Sequence, residues 1–166
     1  LLVKAFSLVA HRYPDWKVEV WGGAAEDSKQ SKALQHQIDH LGLSERVLLC
    51  GITKHVKQKL KKASIFAFPS LWEGFSLALT EAMAMGLPAI GTQRCPSVNE
   101  LIQNEKNGLL CEETPESFAL ALTRLMDEEA LRIKLGNAAK AGMTEYAPDK
   151  IWAQWEKLLQ SVVMTV

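Results

Sequence analysis

The 166-residue chain has no excess of charge of either sign, no paired cysteines and no long apolar run. Each absence removes a class of function. Nineteen Lys and Arg balance nineteen Asp and Glu, so no overall field recruits nucleic acid or an acidic substrate. Cys50, Cys95 and Cys111 are odd in number, far apart and outside any C-x-x-C, which points to free buried thiols in a reducing cytoplasm. No segment is apolar for long enough to span a bilayer, and no signal peptide opens the chain. The segment WGGAAE lacks the spacing of a dinucleotide-binding glycine loop, which argues against a dehydrogenase. There is no internal repeat, linker or low-complexity tract, so residues 1–166 read as one domain.

What is present alternates in period. Leu1, Leu2, Ala5, Phe6, Leu8 and Val9 are spaced as one face of a helix that Pro14 ends, and WKVEVWGG reads as a short strand. Helical spacing returns from Asp27 to Leu41, with Leu34, Ile38 and Leu41 inward and Gly42 as the stop. RVLLCG is a second strand, a short basic helix follows, and ASIFAFP is a third strand, apolar on both faces. GFSLALTEAMAMG is a helix closed by Gly86, and LPAIGT is a fourth strand. A short helix near Asn99 to Gln103, a strand at Gly108 to Cys111 and two or three helices from Pro115 complete the chain.

Strands alternating with helices, and apolar on both faces, indicate a parallel sheet covered on each side. The expected fold is therefore α/β, a doubly wound, Rossmann-like parallel sheet with helices on both faces. Its first strand is expected to be missing, because the chain opens mid-helix as a piece of a longer protein would. Ligands of such sheets bind outside the carboxyl ends of the strands. Here those ends are Gly22-Gly23, Gly51-Ile52, Pro69-Ser70 and Gly91-Thr92.

Glu81 is the one carboxylate on an almost wholly apolar helix, and a buried unpaired carboxylate is costly. If that helix starts near Ser76, its free amides, around Phe75 to Leu79, form an anion site at the end of the preceding strand. Gly74 permits a tight turn there and a close approach by phosphate. Glu73 precedes the helix and Glu81 lies about one and a half turns in. Two acceptor-only carboxylates beside a bed of N–H donors suit a ligand with an anionic diphosphate and hydroxyl donors. A nucleotide sugar is such a ligand.

The stretch PSLWEGFSLALTEAMAMGLPAIGT resembles the E-x7-E region of retaining glycosyltransferases of the GT-B fold, family 4. LLVKAFSLVA looks like the first helix of their C-terminal, donor-binding domain, VEVWGG like its second strand, and NELIQNEKNGLL like the segment after the motif. The resemblance implies that Glu73 contacts the transferred sugar and Glu81 the ribose hydroxyls. It implies that the amides of Gly74, Phe75, Ser76 and Leu77 hold sugar and diphosphate, and that Ile52 lies against the base. It also implies a basic pair and an N-terminal acceptor domain upstream of Leu1, both absent, and makes that acceptor domain the expected partner. The implied activity is transfer from a nucleotide diphosphate sugar to a polysaccharide or glycolipid, with retention. No cofactor is implied, and no Asp-x-Asp is present to clamp the diphosphate through a metal. A nucleotide-sugar 2-epimerase and a non-catalytic α/β interaction module remain the alternatives.

Other signals are read more plainly. His36 and His40 have metal-ligand spacing, but HQIDH lacks the protease glutamate and a third ligand, so they read as a solvated face. KHVKQKLKK reads first as a solvated lysine face, and second as a peripheral contact with the inner face of a membrane. Trp152 and Trp155 are expected to dock the last helix onto the sheet or onto the acceptor domain. Such a fragment, with a vacant sheet position, is expected to self-associate.

Overall fold

The computed structural model describes residues 1–23 and 28–163. Helix α1 is Leu2–Val9, burying Val3, Ala5 and Phe6, and it stops well before Pro14. Strand β1 is Val18–Trp21 and β2 is Val47–Gly51. Between them α2, Lys29–His40, starts where the Ser28 hydroxyl accepts from the amide of Ser31 at 3.1 Å. Asp27, expected in that helix, lies outside the described residues. Gly42 stops α2 with φ +67, whereas Leu41, expected inward, is exposed. Helix α3 is Val56–Lys62, β3 is Phe66–Phe68, α4 is Leu77–Ala84 and β4 is Ala89–Thr92. Helix α5 is Pro96–Leu101, ahead of its expected position, because Pro96 fits a first turn where its missing N–H costs nothing. Strand β5, Gly108–Cys111, is followed by α6, Pro115–Asp127, α7, Glu129–Gly142, a 3-10 turn at Met143–Tyr146 and α8, Pro148–Val163.

All strand pairs are parallel, but the described strands form two sheets rather than one. β1 pairs with β2, and β3, β4 and β5 pair in that order. Both sheets share one core: Val18, Val20, Val47 and Leu49 pack in the same cluster as Ala67, Ile90 and Leu109, beneath Phe6 of α1 and Phe118 and Leu122 of α6. The pleat sends alternate residues to the opposite face, where Phe66, Phe68, Ala89 and Leu110 meet Leu79 and Met83 of α4, Val98 of α5 and Ala139 of α7. Helices thus cover both faces, as expected for the doubly wound class. β4, with a partner on each side, is buried throughout. β1 and β3 each have one partner among the described strands and are only half-buried, although both faces of β3 are covered as expected, Ala67 packing on the α1 and α6 side and Phe66 and Phe68 on the other.

Two packing facts position the site. Gly136 of α7 crosses the end of α4 so closely that a Cβ there would sit 2.1 Å from the Gly86 carbonyl oxygen. Gly86 itself, at φ +81, closes α4. At the other end of the chain α8 buries none of its described side chains, and Trp152 is 71% exposed. Docking of Trp152 and Trp155 onto the sheet is therefore corrected, since their stripe with Leu158, Leu159 and Val162 faces outward.

Candidate functional site

The strand β3 ends at Phe68 and α4 begins at Leu77, so residues 69–76 form a loop at the carboxyl end of the sheet. Hydroxyls hold this loop. The buried Thr92 hydroxyl, at the end of neighbouring β4, donates to the Ser70 carbonyl. The Ser70 hydroxyl has a single proton and lies 2.7 Å from Glu73 Oε1 and 3.3 Å from the Trp72 carbonyl, so the shorter, charge-assisted bond to Glu73 takes it. Glu73 is thereby presented on an exposed loop with one oxygen engaged, beside a Trp72 that is 85% exposed.

Ser76 caps α4, as the sequence predicts for the start of this helix. Its buried side chain accepts from the Leu79 amide at 3.3 Å, and its carbonyl accepts from the Thr80 amide. The Leu79 amide, expected to be free for a ligand, is therefore already satisfied. The amides of Leu77 and Ala78 remain as donors in the first turn, where the positive end of the macrodipole lies. Leu77 is 70% exposed, and the ring of Phe75 rests against Tyr146 with centroids 5.6 Å apart. Gly74 is not in the left-handed region, so the turn does not require it; a Cβ there meets nothing within 4 Å, which leaves the backbone open to approach.

Glu81 departs most from expectation. It is exposed rather than enclosed in apolar surroundings, because α4 buries only Leu79, Ala82 and Met83. The apolar residues Leu77 and Ala78 leave the core side and face outward with it. Glu81 takes part in none of the ion pairs among the described residues. It lines an open cavity of about 320 Å³ with Lys54, His55, Val56, Lys57 and Gln58, between α4 and the start of α3. Glu73 does not line that cavity, so the two carboxylates flank separate parts of one edge. Ile52, at the end of β2 just before these residues, is 82% exposed.

Several groups here were missed from sequence. Ser70 and Thr92 were legible only as hydroxyls at the ends of apolar strands. Lys54, His55, Lys57 and Gln58 were visible in the lysine-rich run, but nothing in that run tells that its first turn meets Glu81. Among the described residues no group of three His, Cys, Asp or Glu is arranged to hold a metal ion, and His36 and His40 simply stack, 6.5 Å apart.

The model of the family described as "Glycosyl transferases group 1" matches residues 1–142. An exopolysaccharide phosphotransferase of Streptomyces coelicolor is 35% identical over 97% of the chain, which spans 17% of that relative's length. Among solved structures, Alr3699/HepE of Anabaena in complex with UDP superposes with a TM-score of 0.88 at 22% identity, over 96% of this chain and 44% of that one. The C-terminal domain of a glycosyl transferase group 1 family protein (LpcC) from Francisella tularensis superposes with a TM-score of 0.74 at 25% identity, over 86% of this chain and 75% of that one.

Proposed function

The chain belongs to the glycosyl transferases group 1 family, with the fold of GT-B glycosyltransferases, and from that premise we propose that it is the donor-binding part of a longer, retaining hexosyltransferase. The longer protein takes a sugar from a nucleotide diphosphate sugar and passes it to a polysaccharide or glycolipid acceptor in the cytoplasm. The observation that carries this reading is the edge where the free amides of Leu77 and Ala78, the tethered Glu73 and the unpaired Glu81 all sit at the carboxyl ends of parallel strands.

Each group has a role that its chemistry supports. The amides of Gly74, Phe75, Ser76 and Leu77, with the helix dipole, receive the diphosphate and the sugar. Glu73, steadied by Ser70, accepts from hydroxyls of the transferred sugar and stabilises the cationic carbon as the bond to the leaving diphosphate lengthens. Glu81 accepts from the ribose hydroxyls, and the exposed Ile52 supplies an apolar surface for the base. Uridine is the first base to test, since the Anabaena neighbour was solved with UDP. Donor charge is met by amides and side-chain cations, with no metal or cofactor. The acceptor enters from a separate N-terminal domain, against which the apolar stripe of α8 packs. A further parallel strand from the preceding segment fills the place between β1 and β3, whose outer edges have no partner among the described strands. Without those parts the 166 residues bind nucleotide and do not transfer sugar.

The test is donor turnover by the longer protein. Glu73→Gln should lower turnover by about 10²-fold with nucleotide affinity retained, as loss of a transition-state contact does. Turnover unchanged by that substitution would remove Glu73 from the chemistry. Interconversion of the donor at C2 without transfer would make the protein an epimerase, and indifference to every nucleotide would make it an interaction module.

A further inference from the structure

From Lys54 to Lys62 the chain carries five lysines and a histidine, with no carboxylate, in a protein whose total charges cancel. The fold turns this run into one surface. Lys57 and Lys61 stand one turn apart on α3, Gln58 and Lys62 form the adjacent row, and Leu60 is buried on the opposite side. Lys59 leaves the stripe and lies over the Trp21 ring, 4.2 Å from its centroid. Lys54, Lys57, Lys61 and Lys62 are exposed, and none belongs to the ion pairs among the described residues. Elsewhere Arg12, Arg124 and Lys150 each have a carboxylate partner, and no other stretch of nine residues holds as many lysines, so cationic charge is densest on this face, with Glu81 at its edge beside Lys54 and Lys57. Like charges within two turns repel one another, and a negatively charged partner relieves that repulsion.

We propose that the lysine stripe of α3 docks this chain onto an anionic lipid bilayer. Residues 54–62 contain no arginine fork for phosphate pairs and no aromatic ring on which a base could stack, both of which single-stranded nucleic-acid sites use. The apolar content of this face is small, Leu60 being buried and Val56 only partly exposed, so it lacks the buried aromatic or arginine anchor that a protein interface places at its centre. What it does offer is a set of lysine point charges along a seven-residue helix roughly 10 Å long, at about 1.5 Å per residue. Such an array fits a laterally mobile, uniformly negative surface. The start of α3 also lines the Glu81 cavity, so docking would set that cavity at the membrane surface.

Co-sedimentation with vesicles tests it. The 166-residue chain should bind phosphatidylcholine vesicles containing a third phosphatidylglycerol at low salt, leave them at high salt, and ignore pure phosphatidylcholine. Because each lysine near such a surface strengthens binding several-fold, Lys57→Glu, Lys61→Glu and Lys62→Glu together should reduce partitioning by more than about tenfold. The same reversals at Lys4, Lys106 and Lys134 should reduce it far less, and circular dichroism should show both variants folded. No binding to anionic vesicles at low salt, or equal loss in the two triple variants, would overturn the proposal. Tight binding of a poly-dT oligonucleotide with vesicles ignored would assign the stripe to nucleic acid instead.

Discussion

The hydroxyl of Ser70 donates to the carboxylate of Glu73 at 2.7 Å, while the Ser70 carbonyl accepts from the Thr92 hydroxyl. The loop that presents Glu73 is thus tied to the end of the adjacent strand through a single residue. Ser70→Ala removes the bond that orients Glu73 and leaves the Thr92 bond in place. Stability should fall by no more than about 1 kcal/mol, because the lost bond is exposed. Donor turnover of the longer protein should fall further than the melting temperature suggests. Thermal melts and turnover assays on the same variant check both.

Glu81 is exposed and unpaired, so folding does not depend on its charge. Glu81→Gln should leave the melting temperature unchanged, within about 0.5 kcal/mol, as for surface sites free of special roles. Nucleotide affinity should drop by about tenfold, because an amide accepts fewer hydroxyl bonds and carries no charge. Calorimetry and melts on the variant measure the two effects separately. A loss of several kcal/mol in stability would make Glu81 structural.

Gly136→Ala should be among the most destabilising single changes in the chain. Its Cβ would lie 2.1 Å from the Gly86 carbonyl oxygen, and that contact is backbone, which cannot rotate aside. α7 must move away from the end of α4, at a cost of about 2 kcal/mol or more. Chemical denaturation gives the number, and a wild-type midpoint would refute the close crossing.

The buried Cys111 thiol is pushed up to about 12 from an ordinary value near 9, by burial first and the nearby Glu113 carboxylate second. A folded-state pKa raised in this way contributes stability that is complete below pH 9. That contribution is lost as pH rises through 9 toward 12, because only the unfolded chain ionises easily. Native protein should react slowly with thiol reagents at Cys95 and Cys111, both buried, and faster at the half-buried Cys50. Denaturant should release all three. Labelling followed by mass spectrometry reads the order.

The alternation of strands and helices was legible because periodicity records burial, and burial on both faces is what a covered parallel sheet requires. The start of α4 at Ser76 and its end at Gly86 were legible for a local reason, since a hydroxyl cap and a left-handed glycine act within one turn. The exposure of Glu81 was not. An apolar helix reads as buried all round, yet Leu77 and Ala78 line an outward edge where a ligand or another domain would sit. The meeting of Glu81 with Lys54 to Gln58 was equally hidden, because those residues are far apart in sequence and joined only by the packing of α3 beside α4. Division into two sheets follows from an edge that no described strand fills, and the run FAF carries no sign of having one neighbour or two.

On the reading proposed above, the edge from Glu73 to Glu81, with its neighbouring cavity, receives a nucleoside diphosphate. Titrating the isotopically labelled chain with uridine, guanosine and adenosine diphosphates, followed by amide NMR, tests it most directly. Saturable shifts are expected at Gly74 to Ala78, at Glu81 and at Ile52 to Lys57, with a dissociation constant no tighter than about 0.1 mM, since about 4 kcal/mol of binding corresponds to 1 mM. Silence toward all three nucleotides, or shifts confined to the opposite end of the strands, would contradict it.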